Sequence, residues 1–196
     1  MEVRVLGDVA VVDDQGERHP IPGDVQRRLL ALLSADRGRV VSVGRLVDEL
    51  WGEDAPTNPA NALQSRISRL RRVFGACGHR EAIVHRDGGY RLADDVTDDA
   101  ERSEAAVRAG DHDLALELWA GAPFTDADPG PSLDVERRRL GELRSSAIEA
   151  SLTARLDGGE PSGGVGDLVA LVTAEPLRGR SWAVLMTAYA RAGRRA

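Results

Sequence analysis

A chain of 196 residues, 42% of them hydrophobic, suffices for one large domain or two small ones around an apolar core. Its single cysteine, Cys77, excludes an internal disulfide framework; the opening Met1-Glu2-Val3-Arg4 leads into no apolar signal segment, and apolar runs such as residues 29–33 are far too short to span a membrane, so a cytoplasmic protein is expected. The net charge of −6 weighs against a nucleic-acid partner until its distribution is read: residues 1–93 carry net +1 and residues 94–196 net −7, while 61–91 hold seven arginines against Glu81 and Asp87, an asymmetry that points to nucleic acid.

In chain order, residues 2–22 read as short strands, with Val3, Val5, Val9 and Val11 at period two and turn chemistry at Asp13-Asp14-Gln15-Gly16. A first helix is predicted over about 24–36, where Val25, Leu29, Leu32 and Leu33 recur at helical spacing. Arg39-Val40-Val41 form a brief extended piece. Ser42 suits the N-cap of a second helix that buries Val43, Leu46, Val47 and Leu50 and leaves Arg45, Asp48 and Glu49 outside. Residues 51–56 turn. The third helix has the clearest start, with Asn58 as cap and Pro59 at its first position. Leu63, Ile67, Leu70 and Phe74 make one apolar stripe, which sets Asn61, Ser65, Ser68 and Arg72 opposite and Arg69 beside them; Gly75 ends the helix. Residues 83–92 predict a hairpin turning at Asp87-Gly88-Gly89, with Arg86 just before the tip and Arg91 just after. Residues 93–99 read as an acidic linker, Asp98 and Asp99 as solvated or helix-capping carboxylates. Beyond it, helices are predicted over about 99–109, 112–120, 132–157, 165–174 and 178–192, separated by Gly/Pro-rich loops at 121–131 and 158–166. Two helical hairpins of a repeat-like stack result, with Trp119, Trp182, Leu185, Met186 and Tyr189 expected in its core.

Three short helices followed by a glycine-turn hairpin are the order of a winged helix-turn-helix. The expected fold is therefore an α+β domain over 1–93, with a small antiparallel sheet, three helices and a wing, then an all-α domain over 94–196. The chemistry fits that order. An α-helix enters the major groove, and arginine can donate two hydrogen bonds to a guanine edge or clamp a phosphate. Asn61 can pair with adenine, Ser65 and Ser68 are short enough to let the backbone approach phosphates, and Arg86 at the hairpin tip can enter the adjacent minor groove. A solvated charged face explains the arginines taken alone; it does not explain their combination with the helix order and the hairpin.

The residues also carry a resemblance. Val40-Val41-Ser42-Val43-Gly44-Arg45-Leu46-Val47-Asp48-Glu49-Leu50-Trp51-Gly52 resembles the second helix of OmpR-type winged helices, Asn61 through Arg72 resembles their recognition helix, and Gly89-Tyr90-Arg91-Leu92 the end of their wing. Glu175-Pro176-Leu177-Arg178-Gly179-Arg180-Ser181-Trp182-Ala183-Val184-Leu185-Met186 resembles a motif of the bacterial transcriptional activation domain. Together they resemble the Streptomyces antibiotic regulatory protein family over nearly the whole chain. The resemblance implies a TPR-like second domain and a base-reading role for Arg69. It places Ser65, Arg66, Ser68, Arg71 and Trp51 at DNA-backbone positions and Arg86 at the minor groove. It further implies that Glu53 to Thr57 face RNA polymerase, and that head-to-tail dimers on direct repeats activate antibiotic-type pathway genes. Some positions depart from the family pattern. Val25 stands where a basic residue is usual, Arg102-Ser103-Glu104 where an aromatic is usual, and 158–166 replaces a shorter turn. The pattern adds at least one helix beyond Arg191-Ala192-Gly193-Arg194, so the second domain is expected to be incomplete at its C-terminus.

Other classes fit less well. The four histidines are scattered, Cys77 and His79 alone make no zinc site, and Gly163-Gly164-Val165-Gly166 lacks the Lys-Ser/Thr of a phosphate loop. No enzyme, metal or cofactor is expected, and Cys77 reads as a surface-loop thiol. The remaining rival is a helical protein-interaction module whose winged helix does not bind DNA.

Overall fold

The computed structural model describes residues 1–127, 130–159 and 164–193. Packing divides the chain into two compact units, Met1–Arg102 with Leu118–Leu140, and Ser103–Glu117 with Gly141–Ala196.

In the first unit, β1 (Glu2–Arg4), β2 (Ala10–Val12) and β3 (Arg18–Pro20) form an antiparallel meander in which Val3 faces Val11. Asp13 closes the β2–β3 turn. One of its carboxylate oxygens accepts the Gln15 and Glu17 N–H groups, each at 2.9 Å, and the other lies 2.9 Å from His19 Nε2. Then follow α1 (Asp24–Ala35), β4 (Val41–Ser42), α2 (Val43–Trp51), a 3-10 turn (Gly52–Asp54), α3 (Pro59–Ala76), β5 (Ile83–Arg86) and β6 (Gly89–Leu92). The three helices pack on one another through Leu29, Leu30, Leu33, Leu46, Leu63, Ile67, Leu70 and Phe74, all buried. Burial of each such side chain contributes about 1.5–3 kcal/mol.

The segment expected as a solvated acidic linker ends differently. Thr97–Asp98 form β7, parallel to β1, which gives a mixed four-stranded sheet in the order β3-β2-β1-β7. Asp98 and Asp99 are buried because distant groups satisfy them. Asp98 accepts hydrogen bonds from Ser34 Oγ (3.0 Å), Arg37 Nη1 (2.9 Å) and, as a helix cap, the Glu101 N–H (2.7 Å). Asp99, the first residue of α4 (Asp99–Ala109), accepts the Val5 N–H at 2.8 Å and the Leu6 N–H at 3.2 Å. Burial pushes its carboxyl up to about 6, against the downward pull of those two donors.

Residues 118–127 are laced to the loop after β1. The Ala120, Phe124 and Thr125 N–H groups donate to the carbonyls of Leu6, Val5 and Gly7 at 2.8, 2.9 and 3.0 Å. The Asp126 carboxylate accepts the Val9 N–H at 2.7 Å and lies 3.2 Å from Arg27 Nε. Phe124 is buried at a backbone φ of 54°, and Trp119 is half-buried. The helix predicted as far as residue 120 ends at Glu117, and the Ala120 and Gly121 N–H groups both turn to Leu6 O.

The second unit contains α5 (His112–Glu117), most of α6 (Pro131–Asp157), α7 (Val165–Ala174) and α8 (Gly179–Arg191). Its core joins Leu152, Leu156, Leu168, Leu171, Val172, Leu185 and Ala188, with Tyr189 partly buried against them. Glu149, 1% exposed, is held by Arg178 Nε at 2.8 Å and Ser181 Oγ at 2.5 Å. Trp182 and Met186, expected in the core, lie outside it, 43% and 61% exposed. Only the Leu185/Ala188 side of α8 meets the buried cluster, and Trp182 Nε1 is satisfied by Pro176 O at 2.9 Å.

Candidate nucleic-acid interface

The site is built on α3. The Asn58 side chain accepts the Asn61 N–H at 3.1 Å and Pro59 occupies the first turn, which fixes where the helix begins. Leu63, Ile67, Leu70 and Phe74 fasten its inner face to the core. Asn61, Ser65, Ser68, Arg69 and Arg72 are exposed on the other side, and Arg66 is half-buried between the two. At 1.5 Å per residue the run from Asn61 to Arg72 is about 16 Å long, the scale of a major groove about 12 Å wide.

Electrostatics separate this face from the rest of the protein. The α3 segment contains no acidic residue, in its first turn or elsewhere, so no carboxylate of the helix itself offsets the positive end of its dipole. Among the described residues, the arginines that make no hydrogen bond or ion pair are Arg66, Arg69, Arg72 and Arg80, all on α3 or in the turn that follows it. Elsewhere many arginines face carboxylates, as Arg37 does Asp98, Arg45 Asp36 and Arg178 Glu142 and Glu149.

The wing stands beside α3. The strands β4, β6 and β5 lie in that order, and Arg86 pairs with Gly89 across a two-residue turn. Asp87 and Gly88 both take positive φ, 49° and 76°, so the turn is Asp87-Gly88 and Gly89 already belongs to the strand. A Cβ on Gly89 would lie 2.2 Å from Val41 O, so β6 approaches β4 more closely than any side chain allows. The Arg86 side chain is 66% exposed at the tip, 3.3 Å from the Asp87 carboxylate. Arg71, grouped by sequence with the DNA-backbone residues, donates from Nε and Nη2 to Ile83 O and so binds α3 to β5. Trp51 is half-buried at the end of α2, next to the exposed residues Gly52 to Ala55.

Sequence reasoning did not single out three further residues on this side. Arg80 is exposed and unpaired, and was legible only as one charge of the basic run. Gln64 lies one turn from Ser68 on α3, and His85 stacks at 4.9 Å on Tyr90 in the wing; both face the groove between helix and wing. Cys77 is half-buried at the end of α3 rather than on a surface loop. Its Sγ lies 3.3 Å from Val73 O, and burial raises the thiol pKa.

A helix-turn-helix with an arginine-lined third helix, a glycine-turned wing and a following helical unit define a winged-helix regulator joined to an activator-type domain. A family model for the C-terminal domain of transcriptional regulatory proteins matches residues 23–92, and one for the bacterial transcriptional activator domain matches residues 90–196. The chain belongs to the Streptomyces antibiotic regulatory protein family of transcriptional regulators.

The regulatory protein AfsR of Streptomyces coelicolor is 38% identical over 98% of this chain and 20% of its own length. The regulatory protein DnrI of Streptomyces peucetius is 31% identical over 99% of this chain and 79% of its own. The solved structure of Mycobacterium tuberculosis EmbR in complex with a low affinity phosphopeptide superposes with a TM-score of 0.84 at 29% identity, covering 98% of this chain and 55% of that one. The chain therefore spans only a small part of AfsR and most of DnrI. Among the described residues no helix is long and apolar enough to cross a membrane.

Proposed function

We propose that this chain is a sequence-specific double-stranded-DNA-binding transcription regulator, with DNA reading carried by residues 1–93 and activation by residues 94–196. The observation that carries this reading is the acid-free α3 bearing the unpaired Arg66, Arg69 and Arg72. Arg69 and Asn61 read base edges in the major groove; Ser65, Arg66, Ser68, Arg71, Arg72 and Trp51 meet the DNA backbone, and Arg86 reaches the minor groove. The protein acts in the cytoplasm as an activator of secondary-metabolite genes. Head-to-tail homodimers occupy direct repeats, and RNA polymerase is recruited through the Trp51–Thr57 loop and the helical domain.

The mechanism is binding alone. Arginine–phosphate contacts release counterions, so affinity falls steeply with salt, while α3 supplies sequence choice. Neutralisation of about five to seven phosphates gives a slope of log K against log salt of roughly −4.5 to −6. A salt titration of duplex binding tests this, and a flat response would remove the arginine face from the interface. A second reading, protein interaction through the helical unit, is favoured by Leu177, Trp182 and Met186, exposed at 97%, 43% and 61%. It becomes the sole reading if no duplex binds at low salt.

A further inference from the structure

On the face of the β3-β2-β1-β7 sheet that carries Arg4, Val12 and Arg18, a cavity of about 610 Å³ lies between the strands, the loop after β1 and residues 120–125. All of its lining belongs to the first unit. Its volume falls within the range of about 300–1,000 Å³ that small-molecule sites occupy. The space exists because Gly7, Gly16, Ala120, Gly121 and Ala122 around it carry at most a methyl group. Leu6 and Val12 add larger apolar side chains to the lining.

Two guanidinium groups line this cavity from either side of β2. Glu2 pairs with Val12 and Val12 with Arg18 across the sheet, and Arg4 stands two residues beyond Glu2 on the same face. Arg4 Nε lies 2.7 Å from Glu2 Oε2, and Arg18 Nη2 lies 3.7 Å from Asp8 Oδ2. Each guanidinium has five N–H donors, so among the described residues Nη1 and Nη2 of Arg4 and Nε and Nη1 of Arg18 remain without a partner. Asp99 also lines the cavity, but its two oxygens already accept the Val5 and Leu6 N–H groups. Spare donors on two cations therefore stand over an apolar lining.

We propose that this cavity binds a small amphipathic organic acid, with its anionic head between Arg4 and Arg18 and its apolar body against Leu6, Val12, Ala120 and Ala122. A carboxylate or sulfonate accepts from guanidinium edges in charge-assisted hydrogen bonds, which fixes the head. The apolar body gains by leaving water, which a bare inorganic anion does not. The bound acid bridges the sheet and the segment 120–125, so it stabilises the folded first unit by mass action. The proposal is independent of the DNA-binding reading.

The probe is anilinonaphthalene sulfonate, an aromatic anion, titrated against the whole chain and read by fluorescence. Octanoate and octylamine serve as competitors of equal chain length and opposite charge. Arg18→Gln removes an exposed cation. Gly121→Leu fills the cavity without backbone strain: Gly121 does not take a positive φ, and a Cβ there meets Gly7 Cα and Thr125 Oγ1 only at 3.8 Å. Unfolding midpoints check the fold of both variants. The expected result is saturable one-to-one binding, displaced by octanoate and not by octylamine. Affinity should fall about tenfold in Arg18→Gln, and the octanoate-displaceable binding should disappear in Gly121→Leu. Absence of saturable binding to the unaltered protein overturns the site. Binding unchanged in both variants also overturns it, because the probe then sits on another surface, such as the exposed Trp182 and Met186. Displacement by octylamine rather than octanoate overturns it too, since the cavity then selects a cation. Each of these outcomes leaves the DNA reading standing.

Discussion

Arg71 Nε and Nη2 both donate to Ile83 O, at 3.1 and 2.7 Å, so α3 and β5 are fixed to each other by one planar fork. Lysine keeps the charge but has a single ammonium on a flexible stem and cannot reproduce this geometry. Arg71→Lys is expected to lower stability by about 1–2 kcal/mol, since a carbonyl loses charge-assisted donors at a half-buried position. A urea-unfolding midpoint measures it. A midpoint equal to that of the unaltered protein would mean that the tether contributes nothing to holding the wing.

Asp99 gives the protein a pH dependence with a definite sign. Its carboxyl is raised from the ordinary 3.8 to about 6, chiefly by burial, so the folded state holds this proton more tightly than the unfolded chain does. The contribution is therefore full below the unfolded value near 4 and is lost as pH rises through about 6. A difference of about two units corresponds to roughly 3 kcal/mol. Asp99→Asn keeps an oxygen to accept the Val5 or Leu6 N–H and removes the titration. The stability of the variant relative to the unaltered protein should then rise by up to about 3 kcal/mol between pH 4 and pH 7. Parallel stability curves across that range would refute a buried, titrating Asp99.

Phe124 ties the segment 118–127 to the winged helix. It is 1% exposed, and its N–H donates to Val5 O. Phe124→Ala should destabilise the unit that contains α3 by about 3–5 kcal/mol, the range for removing a buried phenyl ring. Hydrogen exchange of the Leu63–Phe74 amides reports it directly: those amides should lose protection together. Unaltered protection in α3 would show that the winged helix does not depend on this segment.

The elements legible in sequence were those whose partners are local. Asn58 and Pro59 announce α3, and the 63/67/70/74 stripe orients it without reference to any other part of the chain. Asp87-Gly88 specifies the wing turn by the same logic, since positive φ is a property of those residues themselves. The acid-free stretch around Arg69 and Arg72 exposed the candidate site because charge bias is also local.

What stayed hidden depends on residues far away in sequence. β7 is two residues long and pairs with β1, so neither periodicity nor propensity marks it. Asp98 and Asp99 resemble solvated linker charges until Ser34, Arg37, Val5 and Leu6 bury them. Trp182 and Met186 share a helical spacing with Leu185, yet which side of α8 is covered is decided by α7 and α6. Arg71 sits at the border of the polar face, and only the position of Ile83 shows that its guanidinium turns to the wing.

The central claim is that α3 chooses a DNA sequence. Its most direct test is selection of binding sites from a random duplex pool by the purified protein, run in parallel with Arg69→Ala and Arg72→Ala. The account predicts a motif repeated in one orientation for the unaltered protein. Arg69→Ala should relax base preference by about 1–3 kcal/mol at one position, and Arg72→Ala should weaken all sequences alike. Failure of the unaltered protein to enrich any sequence at low salt, with its fold intact, would contradict the claim.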